Sequence, residues 1–347
     1  MIEKHLEDLE RRIDSSTESD LYTQWSDFVE GAFDGDLFSP TRGETFEPQV
    51  EWPQVRINET LDDFDRMALQ QFGMCSEAVA SGSGALLCVR ANYGTGILPS
   101  LFGVEMFRMD DEVNTLPTNK PFNDPDIIQA LLDRGAPDLR LALGGKVLTM
   151  GERYMDIARR YPAIGRHVHI YHPDLQGPMD VVELLWGSRL FLDIVDMPDR
   201  VHALLELVTE TYIRFMQAWQ QIVPPPNGQS VHWSMLQKGQ VMLRDDSAMN
   251  LSPQMFDEFI RPYDQRILDV FGGGAIHFCG RGDHYIESMS HMPGLTAVAM
   301  SQPEYNDMEA IFCNTVDKDI KLLGLSRQAA DEALATGRPL RSNVHSW

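Results

Sequence analysis

The sequence of 347 residues has few cysteines and no long apolar run. Its four cysteines, Cys75, Cys88, Cys279 and Cys313, are too few and too scattered for a disulfide framework. No apolar run approaches the roughly 20 residues needed to cross a bilayer. The N-terminal stretch MIEKHLEDLERRID is charged from its third residue, which is atypical of a signal peptide. We therefore expect a cytoplasmic protein without membrane spans, whose thiols stay reduced.

Basic residues are also scarce. The chain has 29 Lys and Arg against 52 Asp and Glu, which gives a net charge of −23 at pH 7. Nucleic acids and anionic membranes are bound through clusters of basic side chains, so we expect neither as a partner. The acidic excess is concentrated in residues 1–65. A solvated N-terminal arm would explain this excess, and a contact in a homodimer is the alternative.

The phosphate-binding motifs GxGxxG and GxxxxGK[ST] are absent, so a nucleotide-binding fold is not indicated. From about residue 78 onward, apolar strand-like runs alternate with polar loops and amphipathic helices. Such alternation is typical of parallel strands joined by crossover helices. We predict an α/β fold in which a (β/α)8 TIM barrel over residues 76–347 follows an acidic helical N-terminal extension over residues 1–75. An open doubly wound sheet is the alternative.

One short stretch, GGGAIHFCGRGDHY, contains two types of metal-ligand residue close together. Within it, AIHFCG is typical of a strand that ends at Gly280. Because side chains alternate along a strand, His277 and Cys279 should direct an imidazole and a thiol to the same volume. Zinc accepts this pair, and a catalytic zinc site usually has three protein ligands and one open position. The alternative is a histidine and a cysteine that are simply buried at a strand end.

The sequence around this stretch resembles the uroporphyrinogen decarboxylase-like superfamily. IHFCG after SPQMFDEFIRPYDQRIL is similar to the branch of cobalamin-dependent methyltransferases. The likeness extends over roughly residues 85–325, through RDDSAMNLSP, YHPDLQGPMDVVELLWGS, FLDIVDMPDRVHALLELVTETYI and AVAMSQPEYND. The resemblance implies a TIM barrel and a zinc site that activates a thiol for attack on a methyl group carried by a corrinoid. It also implies that His277 and Cys279 are two of the zinc ligands.

The resemblance leaves the third zinc ligand open. In those methyltransferases the third ligand is a Cys after the last strand, and this sequence has no Cys there. His345, in SNVHSW, is the nearest candidate by position, and Cys313, in NDMEAIFCNTV, is the other. We predict His345, because it follows a plausible final strand near the end of the chain. A carboxylate such as Asp246 or Glu304 is the remaining possibility.

Further polar side chains follow predicted strands. Asp246, after QVMLR, is predicted as a general base or as a carboxylate that orients a zinc-bound histidine, and the resemblance places an acid there. In YHPDLQGP we predict Asp174 as a catalytic group and His172 and Gln176 as substrate contacts. Tyr93, in RANYGTG, is predicted as a further substrate contact. Turn formation in YHPDLQGP and a core position for Tyr93 are the alternatives.

The functional hypothesis from the sequence is a zinc-dependent methyltransferase. It would move a methyl group between a corrinoid and a small-molecule thiol or other acceptor. A separate corrinoid-binding protein would supply the corrinoid, because no cobalamin-binding His loop is recognisable in this chain. The alternatives are a cofactor-independent decarboxylase of a uroporphyrinogen-type tetrapyrrole and a non-catalytic barrel that binds a corrinoid or a small ligand. The decarboxylase branch has an N-terminal arginine pair for substrate carboxylates, and residues 1–65 contain no such motif.

Overall fold

The computed structural model describes residues 2–225 and 228–347. Its helices are α1 (Glu3–Arg12), α2 (Ser15–Glu30), α3 (Ile57–Thr60), α4 (Phe64–Ser81), α5 (Ile97–Leu101), α6 (Pro125–Arg134), α7 (Ala142–Arg160), α8 (Pro162–His167), α9 (Pro178–Trp186), α10 (Leu190–Asp196), α11 (Pro198–Ile222), α12 (Pro253–Phe259), α13 (Arg261–Phe271), α14 (Ile286–Ser290), α15 (Met308–Asn314) and α16 (Arg327–Ala335). Short 3₁₀ helices span Asp246–Asn250, Pro303–Tyr305 and Val316–Lys318. The strands are β1 (Leu37–Phe38), β2 (Cys88–Val89), β3 (Glu105–Phe107), β4 (Thr118–Lys120), β5 (His169–Ile170), β6 (Gln229–His232), β7 (Met235–Lys238), β8 (Val241–Arg244), β9 (Gly274–Phe278), β10 (Leu295–Met300), β11 (Lys321–Leu323) and β12 (Val344–His345).

Parallel strands form the central layer of the fold. Six of them make one sheet in the order β1-β12-β11-β10-β9-β8, and β2 and β5 make a separate parallel pair. Two hydrogen bonds join segments next to this pair to the larger sheet and its flanks. Arg42 N–H, after β1, donates to the carbonyl of Gly82, before β2. Gly177 N–H, after β5, donates to the carbonyl of Arg244, at the end of β8. The predicted α/β fold with parallel strands and crossover helices is confirmed. Closure into an eight-stranded barrel stays a prediction.

Alternate residues of the six-stranded sheet belong to two apolar clusters, as the two-residue repeat of a strand requires. One set packs in the main core with most of the helices: Leu243, Ile276, Val298, Leu322 and Val344. The other set forms an inner cluster with α2 and the β6–β7 segment: Met242, Ala275, Ala297, Ala299 and Leu323. Three of these inner residues are alanines, and the same cluster contains the fully buried Trp25 and Phe28 of α2.

The N-terminal segment packs into this core. Leu6 and Leu9 of α1 are fully buried, and the indole N–H of Trp25 donates to the carbonyl of Gly84 at 2.9 Å. The strand β1 extends the large sheet by pairing with β12. The expectation of a solvated N-terminal arm is therefore wrong for α1, α2 and β1, whereas most of residues 43–54 are exposed. A domain boundary at residue 75 stays a prediction.

The strands β6 and β7 form an antiparallel hairpin, which the sequence analysis did not predict. Its two turn residues, Trp233 and Ser234, have positive φ angles of 48° and 64°. Positive φ at both positions is the signature of a type I′ turn, for which Asn-Gly is the usual sequence. Because Trp-Ser lacks that signature, SVHWSML looks like one continuous strand. The turn brings Trp233 to the ends of β8 and β9, where its indole contacts Arg244 and His277.

Helix boundaries follow local signals close to the candidate site. The side chain of Ser252 accepts a hydrogen bond from Met255 N–H and caps α12. The helix then breaks at Ile260, directly before the Arg-Pro start of α13, and Gly272 ends α13 with a φ of 72°. Among the residues that the structure describes, none of the helices has both the length and the apolar character needed to cross a membrane.

Candidate metal centre

The strand β9 brings His277 and Cys279 together at its carboxyl end. Nε2 of His277 lies 3.4 Å from Sγ of Cys279. The imidazole is almost completely buried, whereas Cys279 is partly exposed. The prediction that these two side chains point to the same volume is confirmed.

Asp246 completes a group of three possible ligands. It lies two residues beyond β8, which pairs in parallel with β9 so that Arg244 is opposite His277. Oδ1 of Asp246 is 3.8 Å from Nε2 of His277 and accepts a hydrogen bond from Cys279 N–H at 2.8 Å. One ligand atom from each of the three residues lies within 4.8 Å of the other two. The carboxyl ends of two neighbouring parallel strands therefore supply all three donors.

The loop after β9 is held by two polar side chains from the segment after β10. Oε1 of Gln302 accepts a hydrogen bond from Gly280 N–H at 2.6 Å. Asn306 accepts from Gly282 N–H at 2.7 Å and donates to the carbonyl of Gly280 at 3.0 Å. Gly280 has a φ of 73°, and a Cβ there would lie 2.7 Å from the sulfur of Met249. The positive φ favours glycine directly after Cys279, whereas the exposed Met249 side chain could move to make room for a Cβ.

The three donors fit a zinc ion in chemistry and spacing. Imidazole, thiolate and carboxylate are the three ligand types that zinc uses in proteins. In a tetrahedral site with bond lengths of about 2.0–2.3 Å, ligand atoms lie roughly 3.4–3.6 Å from one another. The separations of 3.4 Å and 3.8 Å from Nε2 of His277 are close to these values. Three protein donors leave one position for an exogenous ligand.

Asp174 lies in a buried ion cluster beside this group. One of its oxygens accepts a hydrogen bond from Arg90, and the other accepts one from Arg244. Nε2 of His232 lies 3.4 Å from the same carboxylate and 3.0 Å from Nη2 of Arg244. Guanidinium groups thus engage both oxygens of Asp174, and its predicted catalytic role stays a prediction.

Trp233 connects the ion cluster to the metal ligands. The guanidinium carbon of Arg244 lies 4.7 Å from the centroid of the indole, which is a cation–π contact. The rings of Trp233 and His277 meet edge to face with centroids 4.8 Å apart. The sequence analysis missed both Trp233 and Arg244. Strand alternation could have indicated Arg244, since it lies on β8 two residues before Asp246.

His345 and Cys313, the two candidates for a third ligand, lie outside the group of three donors. Nδ1 of His345 accepts a hydrogen bond from Gly324 N–H at 3.1 Å, and its ring packs against Trp25 and Trp347. Burial lowers the pKa of this imidazole to about 3. Cys313 is exposed on α15 and donates to Glu309. As a correction to the prediction, Asp246 rather than His345 is the third donor that the structure assembles.

The structure also places the predicted substrate contacts. Tyr93 is fully buried in the main core, away from solvent. The ring nitrogens of His172 are used by the backbone, since Nδ1 lies 2.8 Å from the carbonyl of Pro173 and Nε2 accepts from Met242 N–H. Oε1 of Gln176 is buried without a hydrogen-bond partner. Of these three residues, Gln176 alone has a buried polar atom free for a ligand, and its substrate contact stays a prediction.

Comparison with solved structures identifies a protein of similar fold. This fold is similar to that of a methyltransferase from Methanosarcina mazei. The two structures superpose with a TM-score of 0.58 over 84% of this chain and 81% of that chain, at 15% sequence identity. At this low identity the superposition shows a shared fold only, and it does not assign a functional role to any residue of this chain. No protein-family model and no curated protein matches the sequence.

Burial sets the protonation states of two of the donors. It lowers the pKa of His277 to about 4, and the nearby Arg244 adds to this effect while Asp246 opposes it. Burial also raises the pKa of Cys279 to about 11, although a hydrogen bond with Ser301 opposes the rise. Near pH 7 the metal-free site therefore holds a neutral imidazole and a protonated thiol.

Zinc binding is expected to release one proton, from Cys279, between about pH 5.5 and pH 8. The imidazole of His277 has no proton to lose in this range, whereas the thiol must become a thiolate to bind the metal. Apparent affinity should then rise about tenfold per pH unit. Calorimetric titration in buffers of different ionisation enthalpy measures the proton count. A titration that releases no protons would contradict coordination by Cys279.

Asp180 anchors the segment that carries Asp246. Its carboxylate, on α9, accepts hydrogen bonds from Asp246 N–H at 2.9 Å and Ser247 N–H at 2.7 Å. Burial raises the pKa of Asp180 well above its usual range, and the neighbouring Asp246 and Asp245 raise it further. The side chain thus positions a ligand without itself joining the group of donors.

The substitution Asp180→Ala is expected to lower zinc affinity by about 10–100-fold, the usual effect of losing a group that orients a metal ligand. Without Asp180, two buried N–H groups lose their acceptor and Asp246 is no longer held beside His277. Asp180→Asn should lose less affinity, because its amide oxygen still accepts one hydrogen bond. Competition with a fluorescent zinc chelator measures both variants. Equal affinity in Asp180→Ala and the parent protein would show that the anchor is not needed.

Proposed function

We propose that this chain is a zinc-dependent methyltransferase that moves a methyl group between a corrinoid and a thiol. The observation that carries the proposal is the group of Asp246, His277 and Cys279 at the ends of two parallel strands. The shared fold with a methyltransferase supports it as well. A (β/α)8 barrel of the uroporphyrinogen decarboxylase-like type, as the sequence resemblance implies, would place such a group at its catalytic face.

The donor set suits activation of a thiol. A free thiol has a pKa near 8.5, and zinc bound by these residues would deprotonate an acceptor thiol held in its open position. As ligands, Asp246 and the thiolate of Cys279 would together balance the double positive charge of a bound zinc ion. An acceptor thiolate would therefore keep its negative charge and its nucleophilicity. Two anionic ligands would therefore favour methyl transfer to the acceptor sulfur over simple tight binding of the thiol.

The proposed transfer moves one methyl group in a direct displacement. The acceptor sulfur would form a bond to the methyl carbon as the cobalt–carbon bond of the corrinoid breaks. Both electrons of that bond would stay with cobalt, and the product would be a thioether. A separate corrinoid-binding protein is proposed to present the methyl group at the strand ends. His277, neutral near pH 7, would hold its place in the ligand set without exchanging a proton.

Turnover of methylcobalamin tests this function. Zinc-loaded protein, methylcobalamin and ethanethiol are mixed without oxygen, and loss of methylcobalamin absorbance and formation of ethyl methyl sulfide are followed. We expect zinc-dependent turnover in the parent protein and none in Cys279→Ser. The exposed Cys313→Ser is the matched control and should keep full turnover.

Two outcomes would favour the alternative functions. Metal-independent decarboxylation of a uroporphyrinogen would identify a decarboxylase. Stable binding of zinc and methylcobalamin, with no thioether formed from any thiol tested, would identify a non-catalytic binding protein. Either result would overturn the proposed methyl transfer.

A further inference from the structure

A cavity of about 410 Å³ opens between α4, the strand β2 and the turn of the β6–β7 hairpin. This volume lies within the range of sites that hold small molecules. Its apolar wall comes from Ala78 of α4 and from Ala85, Leu86 and Leu87 at the start of β2. Trp233 forms part of the wall at the hairpin turn.

The indole of Trp233 is shared between this cavity and the candidate metal centre. It lines the cavity, and it also meets the ring of His277 edge to face at 4.8 Å. The guanidinium of Arg244 lies over the indole and holds it in place. Arg90 reaches the cavity wall as well and shares the carboxylate of Asp174 with Arg244. A ligand that extends from the metal centre into the cavity would pass this indole.

The backbone at Trp233 is held in an unfavourable conformation. A φ of 48° puts a large side chain in the left-handed region, which costs about 1–2 kcal/mol for a residue other than glycine. Asn or Gly would form the same turn with less strain. A cost of this kind points to a role for the side chain itself, because strained residues are concentrated at ligand-binding sites.

We propose that the cavity takes the body of the acceptor thiol and that Trp233 determines which thiols reach the metal. This inference rests on the proposed function, because it assumes that a thiol occupies the open position of a metal bound by His277 and Cys279. It adds the site for the non-reacting part of the acceptor and the residue that limits its size.

The inference predicts a compact acceptor with an apolar body. Alanine, leucine and Trp233 side chains supply much of the cavity wall, and polar side chains such as Gln71 and the exposed Glu77 supply other parts of it. Burial raises the pKa values of the Cys75 and Cys88 thiols, so that both are neutral. The charge of Arg90 is opposed by Asp174. Because the indole lines the cavity and also contacts the ring of His277, the inference predicts that a small aliphatic thiol reaches the metal centre more readily than an aromatic thiol.

Cobalt-substituted protein tests the inference without turnover. Cobalt(II) replaces zinc in such sites, and an added thiolate increases the charge-transfer absorption that the Cys279 thiolate already gives, so that the increase reports thiol affinity. Ethanethiol and phenylmethanethiol are titrated into the parent protein, Trp233→Ala and Trp233→Phe. The quantity compared is the ratio of the affinity for phenylmethanethiol to the affinity for ethanethiol. We expect this ratio to be about tenfold higher in Trp233→Ala than in the parent protein, and intermediate in Trp233→Phe. Leu192→Ala, an exposed position on α10, should leave this ratio unchanged.

A second substitution separates the cavity from the indole. Ala78→Phe, introduced into Trp233→Ala, fills the cavity from α4 and should cancel the gain for phenylmethanethiol. If thiols bind cobalt but the ratio is the same in the parent protein, Trp233→Ala and Trp233→Phe, the role of Trp233 is wrong while the proposed function stands. If cobalt binds and neither thiol increases this absorption in any of these proteins, both the proposed function and this inference are overturned.

Discussion

The double substitution His277→Ala and Cys279→Ala is expected to abolish zinc binding, whereas the parent chain is expected to bind about one equivalent. Removal of both side chains leaves Asp246 as the only donor of the group, and a single carboxylate does not retain zinc. Metal analysis of protein purified without chelators measures the zinc content. Because the two residues lie at a strand end, the double variant should still fold, which far-ultraviolet circular dichroism checks.

Single substitutions distinguish between the three candidates for the third zinc ligand. Asp246→Ala should weaken zinc binding, whereas His345→Ala and Cys313→Ser should leave it intact, since neither residue belongs to the group of donors. His345→Ala controls for loss of a buried imidazole, and Cys313→Ser controls for loss of a thiol.

Full zinc content in the double variant His277→Ala and Cys279→Ala would refute the site. A Cys279→Ser protein that fails to fold would instead support a thiol that is simply packed in the core.

The substitution Asp174→Ala is expected to destabilise the folded protein by about 3–5 kcal/mol, the usual cost of removing one partner from a buried ion pair. It leaves Arg90 and Arg244 without their shared carboxylate. Only 5% of the Arg244 side chain is exposed, so water cannot replace the lost partner. Burial already lowers the pKa of Arg244 to about 10, which shows how poorly this site accommodates an unpaired charge. Denaturation in urea measures the change.

Asp62 provides a matched control for this prediction. It also pairs with two cationic side chains, Arg108 and Lys146, but 58% of its own side chain is exposed. Exposed ion pairs contribute about 1 kcal/mol or less, so Asp62→Ala should change stability little. Equal destabilisation by the two substitutions would mean that burial does not determine how much the Asp174 ion cluster contributes to the free energy of unfolding.

Much of the candidate site could be predicted because it depends on local order along the chain. His277 and Cys279 are two residues apart in an apolar run, and strand alternation alone directs both to one side. Gly280 follows them where the chain must turn with positive φ. Alternation of strands and helices likewise predicted the parallel sheet, since crossover helices are required between parallel neighbours.

The third donor could not be predicted with the same rule. Asp246 reaches the site because β8 and β9 are adjacent and in a register that sets Arg244 opposite His277. His345 lies on β12, which β10 and β11 separate from β9, and its ring is packed among aromatic residues of α2 and the C-terminus. The prediction of His345 used its position near the end of the chain, and that position does not determine which strands are neighbours in the sheet.

By itself, the sequence determined the residue chemistry of the site, the shared orientation of His277 and Cys279, and the α/β class, because each of these follows from periods of a few residues. Tertiary structure alone decided that Asp246 joins them, that two arginines engage Asp174, and that the hairpin turn brings Trp233 to His277. These contacts join residues far apart in the chain. They depend on strand order and register, which patterns of a few residues do not determine.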